Sequence, residues 1–326
     1  MTSKHEPTKQ FVTGGAGFIG SHLVERLLAE GNTVTVYDNL STGQTERIKG
    51  LLGKDEFTFV EADLLDNATL KSAMSGHDFV WHLGANTDIL GGGQDVDLDI
   101  KNCTLATHNV LEAMRTHGIS RLIFSSTSAL YGDPPVYPAP ENAGPLRPIS
   151  LYGAAKLACE GLVSAYCHLF GVQAWMFRFA NVVGARMDHG VIFDFIHKLK
   201  RNPSELEIWA DGQGQKPFFL VEDCIEGMFC AYRNTDDWCD VFNLGTATTT
   251  RIDNIAEIVI EEMGLTDVDI RYTGGRRGFP GDVPKLLLDL TKMQRLGWQA
   301  SHTSDEAVRI AARRLLGKHD LENGSG

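Results

Sequence analysis

The run Val12-Thr13-Gly14-Gly15-Ala16-Gly17-Phe18-Ile19-Gly20 decides how this chain reads. An apolar pair, Phe11-Val12, leads into it, and helical spacing over Ser21 to Glu30 leads out of it. A strand that turns into a helix through three spaced glycines is a cradle for a pyrophosphate. Gly14 makes the tight turn, Gly17 lets the backbone approach the anion, and Gly20 lets the helix pack close on the strand. The helix N-terminus adds amides, here those around Phe18 and Ile19. A glycine trio alone is also the composition of a plain loop, so its surroundings carry the decision.

Outward from the cradle, short apolar runs at Val34 to Tyr37, Phe57 to Val60, Phe79 to His82 and Leu122 to Phe124 alternate with helical patterns at Ala68 to Met74 and Cys103 to His117. That rhythm predicts βαβ units, hence a parallel sheet covered by helices on both faces, with ligands at the carboxyl ends of the strands. Asp38 ends the second run, about 20 residues beyond the glycines, where a carboxylate accepts hydrogen bonds from ribose hydroxyls and repels a 2′-phosphate, so NAD is expected over NADP. Asp63-Leu64 follows the third run and reads as an adenine contact or as a helix N-cap. Past residue 180 the pattern loosens, with helices near Val191 to Lys200, Val221 to Tyr232, Ile252 to Met263 and Ser304 to Leu316 and a strand at Leu206 to Trp209. The expected organisation is a dinucleotide-binding domain over 1–180 to which the chain returns near 221–245, a smaller α/β substrate-binding lobe over 181–316, and a tail at 317–326. The Pro-rich stretch Asp133 to Pro148 reads as a surface loop.

Composition removes whole classes. The 326 residues suffice for a large core, and 43% hydrophobic with 22% charged residues is an ordinary globular balance. A net charge of −12 opposes binding to a nucleic-acid backbone, which needs clustered Lys and Arg. No run is long and apolar enough for a membrane span. The polar N-terminus shows no secretory signal, and six cysteines without zinc-type spacing read as core thiols. Together these point to the cytoplasm, and Glu322 to Gly326 reads as a frayed end.

Two segments carry the chemistry. Ser125-Ser126-Thr127-Ser128-Ala129-Leu130-Tyr131-Gly132 follows the fifth strand, and Tyr152-Gly153-Ala154-Ala155-Lys156 opens a helix. Tyr152 and Lys156 lie i, i+4, on one helical face, where the ammonium is expected to lower the phenol pKa toward that of a usable general base. Such a pair also occurs by chance on exposed helices. Here Pro148 supplies a boundary, Ser150 a possible cap, and Thr127 or Ser126 a hydroxyl for the reacting oxygen. Cys103 is weighed as a stray base but reads as a core thiol, and His189 reads as an exposed loop residue.

With these motifs in place, the sequence resembles the extended short-chain dehydrogenase/reductases, specifically the NAD-dependent nucleotide-sugar epimerase/dehydratase family, and within it the UDP-glucose 4-epimerases. Further matching stretches are Tyr37 to Gly43, His82-Leu83-Gly84-Ala85, Arg178 to Gly184, Val221-Glu222-Asp223 and Phe242 to Gly245. The resemblance implies a doubly wound Rossmann domain, with NAD contacts at Gly14, Gly17, Phe18, Ile19, Asp38, Asn39, Asp63, Leu64, Leu83, Ala85, Ser125, Tyr152 and Lys156. It implies Tyr152 as the base, Lys156 as its ribose-binding partner and Thr127 as the hydroxyl that aligns the sugar. Asn181 is then a contact of the substrate diphosphate region, the stretch Val191-Ile192-Phe193 with Ile208-Trp209 flanks the nucleotide base, and Lys216 and Arg277 bind the diphosphate. The implied partner is a nucleotide-diphosphate sugar and the implied assembly a homodimer through the helices near 103–117 and 152–170.

Acidic residues follow the threonine in the dehydratases and decarboxylases of this family, whereas Ser128 and Ala129 stand here, which favours epimerisation through a transient 4-keto sugar. Dehydration, decarboxylation and 4-keto reduction are the sibling alternatives, and a non-catalytic NAD sensor the alternative of another class. Two departures bear on the substrate. Lys216-Pro217 replaces the usual Arg-Asp, and a point-charge ammonium cannot make a bidentate fork. Phe279-Pro280 also separates Arg277 from Gly281-Asp282.

Overall fold

A computed structural model describes residues 8–134 and 136–319. The N-terminal residues before Thr8 and the Glu322 to Gly326 end lie outside the described residues. The chain divides into two compact units.

The first unit comprises residues 1–127, 151–177 and 231–242. Its sheet has seven strands: β1 (Lys9–Thr13), β2 (Thr33–Asp38), β3 (Phe57–Glu61), β4 (Phe79–His82), β5 (Arg121–Thr127), β6 (Gln173–Phe179) and a last strand, Cys239–Leu244. Their order across the sheet is β3-β2-β1-β4-β5-β6 and then Cys239–Leu244. β1 pairs in parallel with β2 on one side and β4 on the other, and β2–β3 and β4–β5 are also parallel. Strand order therefore reverses between β1 and β4, which is where a doubly wound sheet opens a crevice at its carboxyl edge. The expected α/β architecture is observed.

The helices of this unit are α1 (Phe18–Ala29), α2 (Asn67–Met74), α3 (Ile89–Gln94), α4 (Ala106–His117) and α5 (Leu151–Phe170). α1 buries Gly20, Leu23, Val24 and Leu27, the i, i+3, i+4, i+7 stripe that seats a helix on a sheet. α4 starts three residues later than its spacing suggests, because Ile100–Leu105 winds as a π-helical segment, a geometry that is rare and recurs at functional sites. β6 was not legible as a strand. Its residues are buried on both faces, so no period-two alternation marks it.

The second unit comprises residues 128–150, 178–230 and 243–326. Helices Val191–Arg201, Ile252–Met263 and Ser304–Leu315 pack on one another. The third begins with a capping box in which Thr303 and Glu306 satisfy each other's backbone amides. Glu205–Ile208 pairs in parallel with Asp269–Tyr272, and Asn181–Val183 with Phe218–Leu220. The Pro-rich segment is more than a surface loop. Ala139 is fully buried, donates its amide to Leu287 O and accepts from Asp289 N. Beneath it Arg178, 4% exposed, donates to the Tyr131 hydroxyl at 2.9 Å and to Glu141 O at 2.9 Å.

Candidate active site

The glycine cradle has the shape its sequence requires. Gly14 has φ +70°, and a Cβ there would lie 2.7 Å from Gly84 N, so the turn after β1 and the loop after β4 pack backbone to backbone. A Cβ on Gly20 would lie 2.1 Å from Gly14 O, whereas one on Gly17 would meet only Gly14 O, at 3.1 Å. The Gly17 side of the turn is thus open, and α1 begins there without a side-chain cap. Amides at an uncapped helix N-terminus beside an open glycine suit a pyrophosphate.

Asp38 closes β2 and is 8% exposed. Its two oxygens accept from Ala16 N and Leu40 N, each at 2.9 Å, and burial pushes its carboxyl above the usual range. Asn39 donates to Asp63 Oδ2 at 2.8 Å, and Asp63 Oδ1 accepts from Leu65 N. Asp63 is not the cap of α2; that position is Asp66, whose carboxylate accepts from Thr69 N. Leu64 is held by Asn109 Nδ2 on its carbonyl, and Leu83 and Ala85 stand half-buried just past β4. Together the cradle, the acidic strand end and the loop after β4 fit an NAD adenosine and pyrophosphate.

Beneath these loops runs a buried chain that sequence reading missed. His82 bonds Thr13 Oγ1 through Nδ1 at 2.7 Å and Thr107 Oγ1 through Nε2 at 3.0 Å, while Thr13 Oγ1 also accepts from Gly84 N. Burial first, and then the Lys156 ammonium, lowers the His82 pKa to about 3, so the ring is neutral and ties β1, β4 and α4 together. The sign in the sequence was a histidine ending an apolar strand, with hydroxyls at Thr13 and Thr107.

The catalytic candidates converge at the end of β5. Tyr152 and Lys156 lie on the first turns of α5. The Thr127 side chain hydrogen-bonds the Tyr152 phenol. Lys156, 3% exposed, donates to Ser125 O at 2.7 Å and lies 4.8 Å from the Phe124 ring centroid. Ser125 Oγ bonds His82 O. The expected lowering of the phenol pKa is not found. Burial raises it strongly, nearby Cys103 adds to the rise, and the Thr127 bond opposes it. The ammonium instead spends a hydrogen on a carbonyl. Ser126 donates to Glu160 Oε1 at 2.5 Å, so of the two hydroxyls it is Thr127 that is bonded to the phenol.

Cys103 is a core thiol, 1% exposed and raised in pKa by burial. Asp99 was overlooked. It is 1% exposed, one oxygen accepts from Asn86 Nδ2 at 2.9 Å, and its Oδ2 has no hydrogen-bond partner among the described residues.

The second unit holds the remaining candidates. Lys216 Nζ pairs with Asp282 Oδ1 at 2.5 Å. Arg277 pairs with Asp133 at 2.6 Å and donates to Asp282 O. The two cations predicted for the diphosphate thus share one cluster, each answered by a carboxylate. Asn181 Nδ2 donates to Pro217 O at 3.1 Å. Trp209 is exposed, with Lys198 over its ring. Ile192 and Ile208 are fully buried, so neither side chain can flank a base; what Ile192 offers is its backbone amide in the first turn of Val191–Arg201, a helix capped by Gly190 at φ +93°. Val191 is half-buried. His189 is exposed and pairs with Asp188.

The chain is similar to known proteins in both sequence and fold. The chain is 31% identical over 307 residues to a UDP-glucose 4-epimerase of Mycolicibacterium smegmatis, covering 92% of this chain and 96% of that one. It is also 31% identical over 258 residues to UDP-glucuronic acid decarboxylase 1 of Arabidopsis thaliana, covering 77% of this chain and 57% of that one. A crystal structure of a UDP-galactose 4-epimerase superposes with a TM-score of 0.84 at 39% identity, covering 95% of this chain and 99% of that chain. The model of the NAD dependent epimerase/dehydratase family matches residues 10–245, and the chain belongs to that family.

Proposed function

We propose that this enzyme is a nucleotide-sugar 4-epimerase of the UDP-glucose/UDP-galactose type. One observation carries the reading: Thr127, Tyr152 and Lys156 meet at the carboxyl end of β5, and the two residues after Thr127 are Ser128 and Ala129, neither of them an acid. The names of two relatives, both 4-epimerases, support it. Bound NAD would supply the hydride acceptor and donor for C4 of the sugar. Tyr152 takes the proton of the sugar 4-hydroxyl and later gives it back, so a 4-keto sugar forms and is consumed. Burial favours the neutral phenol, so taking the 4-hydroxyl proton demands positive charge beside it to stabilise the phenolate. Lys156, fixed by Ser125 O, keeps a cation one helical turn away. Thr127 donates to the phenol oxygen and aligns the sugar hydroxyl with it. Asn181, Val191, the Ile192 amide, Trp209, Lys216 and Arg277 bind the nucleotide diphosphate.

Incubation with UDP-glucose, followed by chromatographic separation, should give UDP-galactose and the reverse reaction UDP-glucose; sugar recovered unchanged in both directions removes this substrate. The decarboxylase relative supports a second reading, for which UDP-glucuronic acid would release carbon dioxide. We further propose a cytoplasmic homodimer. Support comes from Leu105, Leu169 and Phe170, exposed on or beside α4 and α5, and from the absence of any disulfide among the six cysteines, all of which are described. Light scattering at twice the chain mass is the expected result. Among the described residues no helix is long and apolar enough to cross a membrane.

A further inference from the structure

Three consecutive residues at the end of β5 are each fastened to a different turn of α5. Ser125 O accepts from Lys156 Nζ at 2.7 Å, Ser126 Oγ donates to Glu160 Oε1 at 2.5 Å, and the Thr127 side chain bonds the Tyr152 phenol. Tyr152, Lys156 and Glu160 recur every four residues and form one stripe of the helix. Two of the fastenings belong to groups the reaction uses. The third joins Ser126, 3% exposed, to Glu160, 6% exposed, and neither is needed for the proton or the hydride.

Placing a carboxylate in the interior costs several kcal/mol unless it is well hydrogen-bonded, so its presence needs a reason. Strand geometry gives one. Successive side chains of a regular strand point to opposite faces, so Ser126 and Thr127 cannot both reach the same helix from a straight β5. The chain has to turn at its last strand residue, and it enters a 3-10 turn at Ser128–Tyr131 directly afterwards. The Ser126–Glu160 bond holds the backbone on the strand side of that turn.

We propose that Glu160 is a positioning residue: by holding Ser126 it fixes the turn that delivers the Thr127 hydroxyl to the phenol of Tyr152. The proposal rests on the reading of Tyr152 as the proton-transferring group, but it concerns a geometry that exists whether or not the sugar is glucose. Glutamine at 160 still accepts the serine hydrogen; alanine does not.

The test uses the NAD-loaded enzyme in five forms: unaltered, Glu160→Ala, Glu160→Gln, Thr127→Val and the double variant Glu160→Ala/Thr127→Val. With UDP-glucose, Glu160→Ala should lower kcat by about 10²-fold, as a small misplacement of a reacting group does, while KM and the bound NAD per chain stay within about twofold of the unaltered enzyme. Glu160→Gln should restore most of the loss. The double variant should fall no further than Thr127→Val alone, since both remove one interaction. Crystal structures of Glu160→Ala and Glu160→Gln give a readout without substrate: Thr127 off the phenol in the first, on it in the second. An unchanged kcat, losses that multiply in the double variant, or Thr127 still bound to the phenol in Glu160→Ala would overturn the proposal. If Glu160→Ala does not fold, Ser126→Ala, a smaller deletion, takes its place with the same expectations. Absence of turnover by the unaltered enzyme sinks the epimerase reading instead, and the crystal arm still decides this one.

Discussion

The α5 stripe in the first unit and the Lys216–Arg277 cluster in the second solve opposite problems. The stripe is dry. Lys156 and Glu160 are almost without solvent, and each charge is committed to a neighbour on β5. The cluster is half wet; Lys216 pairs with Asp282 and Arg277 with Asp133, and Arg277 also donates to Asp282 O. Chemistry at a single bond needs groups fixed to fractions of an ångström, which burial supplies. Binding a diphosphate needs charges that can exchange a carboxylate partner for a phosphate, which partial exposure permits. The difference teaches where each unit is sensitive: the first to geometry, the second to charge.

The largest break in that comparison should come from Tyr152→Phe, which removes the oxygen and leaves the ring. Turnover should fall by about 10²–10⁴-fold, with NAD still bound, measured as turnover against cofactor released on denaturation. Survival of turnover would move the base elsewhere. Next in size is Gly20→Val, which forces side-chain atoms against Gly14 O, 2.1 Å from the Cβ site. Overpacking of this kind costs roughly 1–3 kcal/mol, read as a lower urea midpoint together with loss of bound NAD.

His82 sharpens the comparison through pH. Its folded pKa, about 3, lies below the unfolded value near 6.5, so the unfolded chain takes up a proton first as the medium is acidified. The stabilisation is complete above the unfolded pKa and drains away as pH falls from about 6.5 toward 3, at up to roughly 1.4 kcal/mol per pH unit. Urea midpoints at neutral and mildly acidic pH should therefore converge in His82→Gln, which lacks the titrating ring. The smallest effect belongs to the wet cluster. Lys216→Met should weaken UDP binding about tenfold, the worth of a charged hydrogen bond, and Asp282→Asn, by releasing Lys216, should strengthen it; calorimetric titration with UDP reads both. If Asp282→Asn weakens binding, the cluster is a structural pin and the diphosphate lies elsewhere.

Much of this was legible because its cause is local. The glycine turn, Asp38 at a strand end and the i, i+4 pair of Tyr152 and Lys156 each act through a few residues of chain, and backbone sterics and helical period leave few ways to arrange them. Local reading failed where packing decides. β6 is buried on both faces and shows no alternation. Ile192 looks like any residue of a helix start, yet it faces the core. The phenol pKa followed desolvation rather than the ammonium four residues away, because burial removes the water that stabilises a phenolate.

By itself, then, the order of residues determined a doubly wound sheet, a dinucleotide cradle and the helical pair of Tyr152 and Lys156 that we propose handles the proton. Tertiary structure alone decided that Ser126 turns to Glu160 while Thr127 turns to Tyr152, that His82 ties the cradle from beneath, and that Lys216 and Arg277 meet at Asp282. Those pairings join residues far apart in the chain, and only burial of the elements that carry them fixes which hydrogen-bonding groups are left with one another.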